Sequence, residues 1–159
     1  MRKIFIGIVG FLIITATAQA TSEHYAKRSA ELVRAGNLAA GQQDWDGAIL
    51  MYERAVTADP KNVQAYYRMG QAFEQVNRPG RALKFYRTAL SIEPNHLPTL
   101  EAQALALLKK DNVQKAEAAL SKIKRICGGN GCDETSTVNE AIKEYLAVAV
   151  TPSGDDGTQ

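Results

Sequence analysis

The chain has 159 residues, with 19 lysines and arginines against 17 aspartates and glutamates, which gives a formal net charge of +2. This length suits one domain with its own hydrophobic core. The near balance of charge gives no reason to expect a nucleic-acid partner, which a strongly basic chain would favour.

Residues 1–20 have the three parts of a secretory signal peptide. Arg2 and Lys3 precede an uncharged, mostly apolar run over residues 4–16, and the sequence Ala-Gln-Ala then supplies small residues at a cleavage site. We expect cleavage after Ala20 and export, to the periplasm of a bacterium. A retained membrane anchor is the alternative, although the run is shorter than the roughly 20 apolar residues that span a bilayer. No later segment is long and apolar enough to do so.

A period of 34 residues organises the chain after this segment. Small residues, tyrosine and proline recur at that spacing, and a third copy is weaker. Such a period is typical of a solenoid of repeated helix pairs. Small residues let two helices approach closely, large residues fill the space between them, and proline ends the second helix because it lacks an N–H group. The recurring pairs are Gly36 and Gly70, Ala48 and Ala82, Tyr52 and Tyr86, Ala55 and Ala89, and Pro60 and Pro94.

These positions resemble the tetratricopeptide repeat. On that register repeat one spans residues 29–62, repeat two spans residues 63–96, and a degenerate repeat three spans residues 97–128. The resemblance implies an all-α solenoid of antiparallel helix pairs, with two clear units and a degenerate third. The expected helices are 23–41, 45–58, 63–76, 79–92, 97–109 and 113–126.

The C-terminal part predicts one more helix, which caps the solenoid. Apolar side chains recur on one helical stripe over residues 137–149, and Thr137 with Glu140 forms a capping box at its start. A solenoid needs such an element to cover its last apolar surface. Residues 151–159 have no apolar period and predict a flexible tail, which leaves residues 21–150 as the folded domain.

The sequence carries no recognisable catalytic constellation. His24 and His96 belong to no cluster with metal-ligand spacing, and the glycine-rich and serine motifs of common enzymes are absent. We therefore predict a protein that is not an enzyme and has no cofactor and no bound metal.

A stripe of cations is the most prominent charge pattern. Arg78, Arg81, Lys84 and Arg87 recur every three residues in repeat two. They form either a surface for an anionic partner or membrane, or a solvent-exposed convex face. Few aromatic residues interleave with them, which again argues against a nucleic-acid partner. If the stripe meets acidic residues of another copy, the protein is a self-assembling component, so a homo-oligomer is an open alternative.

The resemblance places the first helix of each pair along a concave groove, where partner peptides bind. Tyr67, Leu105 and Leu108 would form an apolar floor, and the amide side chains would hydrogen-bond to a peptide. Alternatively, Leu105 and Leu108 pack against the N-terminal extension or the cap helix. The candidate groove residues are Asn37, Gln64, Tyr67, Gln71, Glu74, Gln75, Glu101, Leu105 and Leu108.

Some members of the resembled family clamp the C-terminal carboxylate of a partner with lysine, arginine and asparagine. Asn37 matches one of those places, but Val33, Pro98 and Ala102 supply none of the cations. We therefore exclude this clamp. The predicted function is a protein-interaction module or scaffold of the cell envelope that binds a partner protein or peptide in its concave groove.

The only two cysteines, Cys127 and Cys132, flank three glycines and an asparagine. Two cysteines cannot complete a four-ligand zinc site. Thiol–disulfide exchange is an alternative, although Cys127 follows a helix C-terminus, whose dipole disfavours a thiolate. Export implies an oxidising compartment, where a disulfide persists. We therefore predict a disulfide that holds the cap helix to the last repeat.

Overall fold

The computed structural model describes the backbone of residues 4–128 and 131–150 and the side chains of residues 21–128 and 131–149. These ranges contain helices and no strand, so the predicted all-α fold is confirmed. The helices are α1 (Ile4–Gly41), α2 (Trp45–Ala58), α3 (Val63–Gln75), α4 (Pro79–Ile92), α5 (Leu97–Leu108), α6 (Val113–Cys127) and α7 (Asp133–Val150).

The helices pack as three pairs followed by one single helix. Helix α1 packs on α2, α3 on α4 and α5 on α6, while α2–α3 and α4–α5 contacts join consecutive pairs. Helix α3 also contacts both α1 and α5, whereas the described residues of α4 contact neither α2 nor α6. The odd-numbered helices are therefore the more closely spaced ones. They line the concave face, and the even-numbered helices lie apart on the convex face.

The turn inside each pair has the same backbone geometry. Gln43, Asn77 and Asp111 lie 34 residues apart and have φ angles of 62°, 55° and 55°. In the second turn the N–H of Asn77 donates to the carbonyl of Glu74, and the next N–H donates to a carbonyl five residues back, at 2.9 and 2.8 Å. This is a Schellman motif, and the other two turns repeat it. Repeat three, degenerate in sequence, is therefore complete in backbone geometry.

A tyrosine ring lies directly against a glycine of the facing helix in the first two pairs. A Cβ atom added at Gly70 would lie 2.6 Å from Cδ1 of Tyr86, which is too close for any side chain. In the third pair Ala104 takes the place of the glycine and Leu120 that of the tyrosine, and both are buried. A leucine is smaller than a tyrosine, so the alanine methyl group fits. The two changes compensate, and the helix spacing survives them.

The cap helix α7 begins at Asp133, earlier than the predicted residue 137. The predicted capping box is wrong, because Thr137 lies inside the helix and its Oγ1 donates to the carbonyl of Asp133 at 3.0 Å. The first hydrogen bond of the helix runs from the N–H of Thr135 to the carbonyl of Cys132, at 2.9 Å. Two acidic residues, Asp133 and Glu134, stabilise the positive end of the helix dipole in this first turn.

The predicted disulfide is present and connects α6 to α7. Cys127 and Cys132 are bonded, with their Cα atoms 5.7 Å apart. Gly128 ends α6 with a φ of 72°, which glycine adopts without strain. Beyond the loop, Val138 and Ile142 of α7 are buried with side chains of α5 and α6. Helix α7 therefore covers the last pair, as a capping helix should.

The N-terminal helix begins at Ile4 instead of residue 23, because no proline interrupts the chain between the apolar run and Gly41. The side chains of the predicted signal peptide, residues 1–20, lie outside the described part, as does the predicted tail, residues 151–159. Among the residues searched, no helix is long and apolar enough to cross a membrane.

We expect Gly70→Ala to lower the free energy of unfolding by about 1–3 kcal/mol, because its methyl group would overlap the Tyr86 ring. Chemical denaturation monitored by circular dichroism measures this change. Gly80→Ala is the matched control, since a Cβ there meets nothing within 4 Å. It should be neutral, or stabilising by up to about 1 kcal/mol. Equal stabilities of the two variants would contradict the close approach.

The double variant Cys127→Ser/Cys132→Ser should lose about 2 kcal/mol of unfolding free energy, because the open loop gives the unfolded chain more freedom. Urea titrations with and without a reductant measure this effect. Wild type and variant should unfold alike once the disulfide is reduced. A difference that persists under reducing conditions would show that the serines themselves perturb the fold.

Candidate protein-interaction surface

The concave face carries two neighbouring clefts. A polar cleft of about 410 Å³ lies between α1 and α3, where Asn37, Tyr52 and Gln75 contribute to its lining. An apolar cleft of about 700 Å³ lies between α5 and α7, and Glu74 of α3 lies at its edge. Helix α3 contributes to both clefts, because Glu74 lines the apolar cleft and the next residue, Gln75, lines the polar one.

A chain of hydrogen bonds organises the polar cleft. Nη1 of Arg68 donates to Oε1 of Gln71 at 3.1 Å, and Nε2 of Gln71 donates to Oη of Tyr67 at 2.8 Å. The Arg68 guanidinium also lies 5.5 Å from the centre of the Tyr67 ring. Burial raises the pKa of Tyr67, and the nearby Arg68 cation partly opposes this. Tyr67 therefore stays neutral and accepts the amide hydrogen bond.

Arg68 retains one unused donor. Its Nε atom is buried and has no hydrogen-bond partner among the described residues. Buried donors are almost always paired in folded proteins. The Nε–H group is therefore an unpaired donor on a side chain that lines the polar cleft. Arg68 was not among the predicted site residues. Arg34 stands 34 residues earlier and is exposed, and only their three-dimensional neighbours distinguish the two arginines.

The apolar cleft is made by α5 and the C-terminal half of α7. Leu105 and Leu108 lie on one side, with Tyr145 and Val148 on the other. Val148 exposes 70% of its surface, so its apolar side chain is accessible to a partner at this cleft. Oη of Tyr145 donates to Oδ1 of Asp111 at 2.9 Å, which ties α7 to the turn of the third pair. The cleft therefore depends on the docked position of α7.

Glu74 stands between the two clefts and joins three helices. Oε2 accepts from the Tyr86 hydroxyl at 2.8 Å, and Oε1 pairs with Nζ of Lys109 at 3.2 Å. Burial, followed by the Glu74 carboxylate, raises the pKa of Tyr86. The carboxylate is thus already engaged on both oxygens. In this structure it links α3 to α4 and to Lys109, the C-cap residue of α5.

The candidate groove residues divide into three groups. Asn37, Gln71 and Gln75 line the polar cleft, and Glu74, Leu105 and Leu108 line the apolar one. The Tyr67 ring packs edge-on against His96, with centroids 5.6 Å apart. Tyr67, Gln64 and Glu101 line neither of these clefts, so Tyr67 does not share an apolar floor with Leu105 and Leu108 as predicted.

Of the two leucines that could instead pack against the cap helix, Leu108 does so. It is 7% exposed and belongs to the same buried cluster as Val138 and Ile142 of the cap helix. Leu105 is only partly buried, so it remains the leucine with more surface for a partner. Residues of α7 could not be assigned to the groove from the sequence, because their place depends on how the cap helix docks.

Glu101 lies on α5 and interacts electrostatically with Glu134 on α7. Partial burial, and then the charge of Glu134, raise the pKa of the Glu101 carboxyl. The folded protein therefore binds this proton more tightly than the unfolded chain does. The corresponding stability is fully present below the unfolded-state pKa and is lost as the pH rises through the folded-state pKa.

We expect Glu101→Gln to unfold at a higher urea concentration than wild type at neutral pH, because the variant removes a carboxylate that burial and Glu134 disfavour. The difference should shrink in acid, where the carboxyl is protonated in both states. Urea titrations across this pH range measure the effect. The same pH dependence in both proteins would contradict the assignment.

Comparisons with known proteins agree with this architecture. Residues 33–96 match the family model of the tetratricopeptide repeat. No curated protein matches the chain. The matched residues lie in the first two helix pairs, and the third pair repeats the turn geometry of those two pairs.

Solved structures of low sequence identity share the fold. The Sgt2 TPR domain from Aspergillus fumigatus is 22% identical, with a TM-score of 0.70 over 82% of this chain and 89% of that one. The TPR2B domain of yeast Sti1, in a pHsp70 complex, is 15% identical, with a TM-score of 0.70 over 77% and 98%. The second TPR domain of human RPAP3, in complex with the HSP70 peptide SGPTIEEVD, is 17% identical, with a TM-score of 0.66 over 77% and 98%.

Proposed function

We propose that this protein is an exported, non-enzymatic interaction module that binds a segment of a partner protein on its concave face. The observation that carries the proposal is that α3 borders both an open apolar cleft and the polar cleft lined by Arg68, whose buried Nε–H has no partner among the described residues. A groove of this kind takes an extended or helical segment by combining an apolar anchor with polar contacts to its backbone.

The partner segment would place an apolar side chain between Leu105 and Val148 and a carbonyl or carboxylate oxygen near Arg68. The two clefts are close enough for one segment, since Gln71 and Glu74 are separated by only about 4.5 Å along α3. Burial of one large apolar side chain contributes about 1.5–3 kcal/mol. The hydrogen bond to a charged donor adds about 1.5–3 kcal/mol before the costs of association.

The similar structures of yeast Sti1 and human RPAP3 hold HSP70 ligands, which supports peptide binding by this fold. We propose a different specificity for this chain. Val33 and Ala102 are buried apolar residues and Pro98 is apolar, so they supply no cation for a peptide with several carboxylates. Lys109, which lines the larger cleft, is already paired with Glu74. Arg68 is therefore the cation that we expect to bind an acceptor of the partner.

Export to a bacterial periplasm completes the proposal. It rests on the three-part N-terminal segment and is supported by the Cys127–Cys132 disulfide, which an oxidising compartment maintains. Mass spectrometry of protein isolated from the native envelope should give a chain that begins at Thr21. A chain that retains residues 1–20, or one with free thiols, would count against this part.

Photo-cross-linking in the native cell tests the concave site. A photoreactive amino acid at Val148 should trap a partner that the same amino acid at Gln114, exposed on α6, does not trap. The partner's affinity for purified variants is then measured. We expect Val148→Arg and Arg68→Met each to weaken binding at least about tenfold, the loss of about 1.4 kcal/mol.

Leu146→Arg is the matched control, because Leu146 is also exposed on α7 but does not line the cleft. It should bind as wild type does. If Val148→Arg keeps the wild-type affinity, the partner does not use the apolar cleft and the proposed site is wrong.

A further inference from the structure

The convex face carries two equivalent grooves. Each lies between the second helices of consecutive pairs and has the first helix of the later pair at its floor. We call the one between α2 and α4 the upstream groove, and the one between α4 and α6 the downstream groove. Pairs of lining residues that stand 34 positions apart are Ile49 and Leu83, Glu53 and Arg87, Phe73 and Leu107, Val76 and Lys110, Arg78 and Asn112, and Arg81 and Lys115.

The upstream groove is filled and its charges are balanced. The ring of Phe85 stacks on the ring of Phe73, with centroids 5.3 Å apart and planes 7° from parallel. Arg81 lies over the same Phe73 ring at 5.4 Å. Two carboxylates, Asp46 and Glu53, line this groove together with two arginines, and its open volume is about 360 Å³.

The downstream groove lacks the side chain that fills its counterpart. Ala119 stands at the place of Phe85, and Leu107 stands at the place of Phe73. The open volume is correspondingly larger, at about 530 Å³. Its floor is apolar, with Leu83, Leu90 and Leu100 beside these two residues. The missing phenylalanine therefore leaves a slot with an apolar floor on the surface of the protein.

The rim of the downstream groove is cationic throughout. Its charged residues are Arg87, Lys110, Lys115 and Lys122, and no carboxylate lines it. On the 34-residue grid Arg87 replaces the glutamate of the upstream groove. None of these four cations forms an ion pair with another described residue. These cations are therefore available to pair with the anionic groups of a bound molecule.

We propose that the downstream groove is a second binding site, for an acidic segment of a partner protein that inserts one bulky apolar side chain over Leu107. The inserted side chain takes the place that Phe85 takes in the upstream groove. Carboxylates on either side of it face Arg87 and Lys115. Complementary charge speeds association and sets the register, while the buried side chain supplies the affinity.

The shape of the groove distinguishes this occupant from other anionic partners. Single-stranded nucleic acids are bound by aromatic side chains that stack on bases, and the described lining contains no aromatic residue. A membrane surface would leave the slot above Leu107 and Ala119 unfilled, since lipid head groups contact an exposed basic surface. A peptide side chain fills the slot and pairs with the rim at the same time.

Selection from a random peptide library displayed on phage tests the proposal. The bait is the full chain without its signal peptide. The variant Arg87→Glu/Lys115→Glu serves as counter-bait, and Lys84→Glu/Lys124→Glu controls for net charge with two exposed cations outside the groove. Peptides that bind wild type and the control, but not the counter-bait, should be acidic and share one bulky apolar residue.

A synthetic peptide from that selection gives the affinities by fluorescence anisotropy. Binding should weaken at least about tenfold in Arg87→Glu/Lys115→Glu, and also when the peptide's apolar residue becomes serine or its acids become amides. Raising the salt concentration should weaken it further. Val148→Arg, on the concave face, should leave it unchanged, which separates this site from the one proposed above.

Ala119→Phe copies the upstream arrangement and should abolish peptide binding while the helical circular dichroism spectrum is kept. If this variant does not fold, the exposed charge variants decide the matter alone. The proposal is overturned if no selected peptide depends on Arg87 and Lys115, or if the dependent peptides are not acidic. It is also overturned if the double charge variant affects only binding to anionic phospholipid vesicles or only self-association in sedimentation.

Discussion

The contact between a tyrosine ring and the backbone of the facing helix determines the rest of this structure. Gly70 lets α3 approach α4 until Tyr86 touches the helix backbone, and the first pair repeats the arrangement. The two helices of each pair pack closely at this distance, and consecutive pairs stack through α2–α3 and α4–α5 contacts. The concave clefts and the convex grooves are the spaces that this stacking leaves open. Both surfaces therefore inherit the period of the sequence.

That period explains why most of the fold follows from the sequence. Helices α2 to α6 lie within a residue or so of their predicted bounds, because each turn repeats one left-handed residue and one Schellman motif. The third pair is harder to recognise in the sequence, because Ala104 and Leu120 differ from the glycine and tyrosine of the first two pairs. The start of α7 was missed for a different reason. The disulfide loop ends at Cys132, and its carbonyl begins the helix before the local capping signal is reached.

The candidate site was less predictable than the fold. Periodicity assigns a side chain to the concave face, but it does not say which side chains satisfy one another there. Gln71 is paired on both sides by Arg68 and Tyr67, so the amide expected to face a peptide already has partners. Arg68 carries the unpaired donor instead. Val148 is part of the apolar cleft, but its position there follows only from the docking of α7 on α5 and could not be predicted.

The repeat allows each surface to be compared with an equivalent one in the next helix pair. The two convex grooves are built by equivalent helices. Their different volumes and charges therefore come from their side chains. Phe85 and Glu53 complete the upstream groove, whereas Ala119 and Arg87 leave the downstream groove empty and cationic. The fold does not require alanine and arginine at these positions, since phenylalanine and glutamate pack on the equivalent helices of the upstream groove. An open apolar slot also exposes surface that a phenylalanine would have buried. Stability of the fold therefore does not explain the open slot, which supports its proposed role in binding a partner.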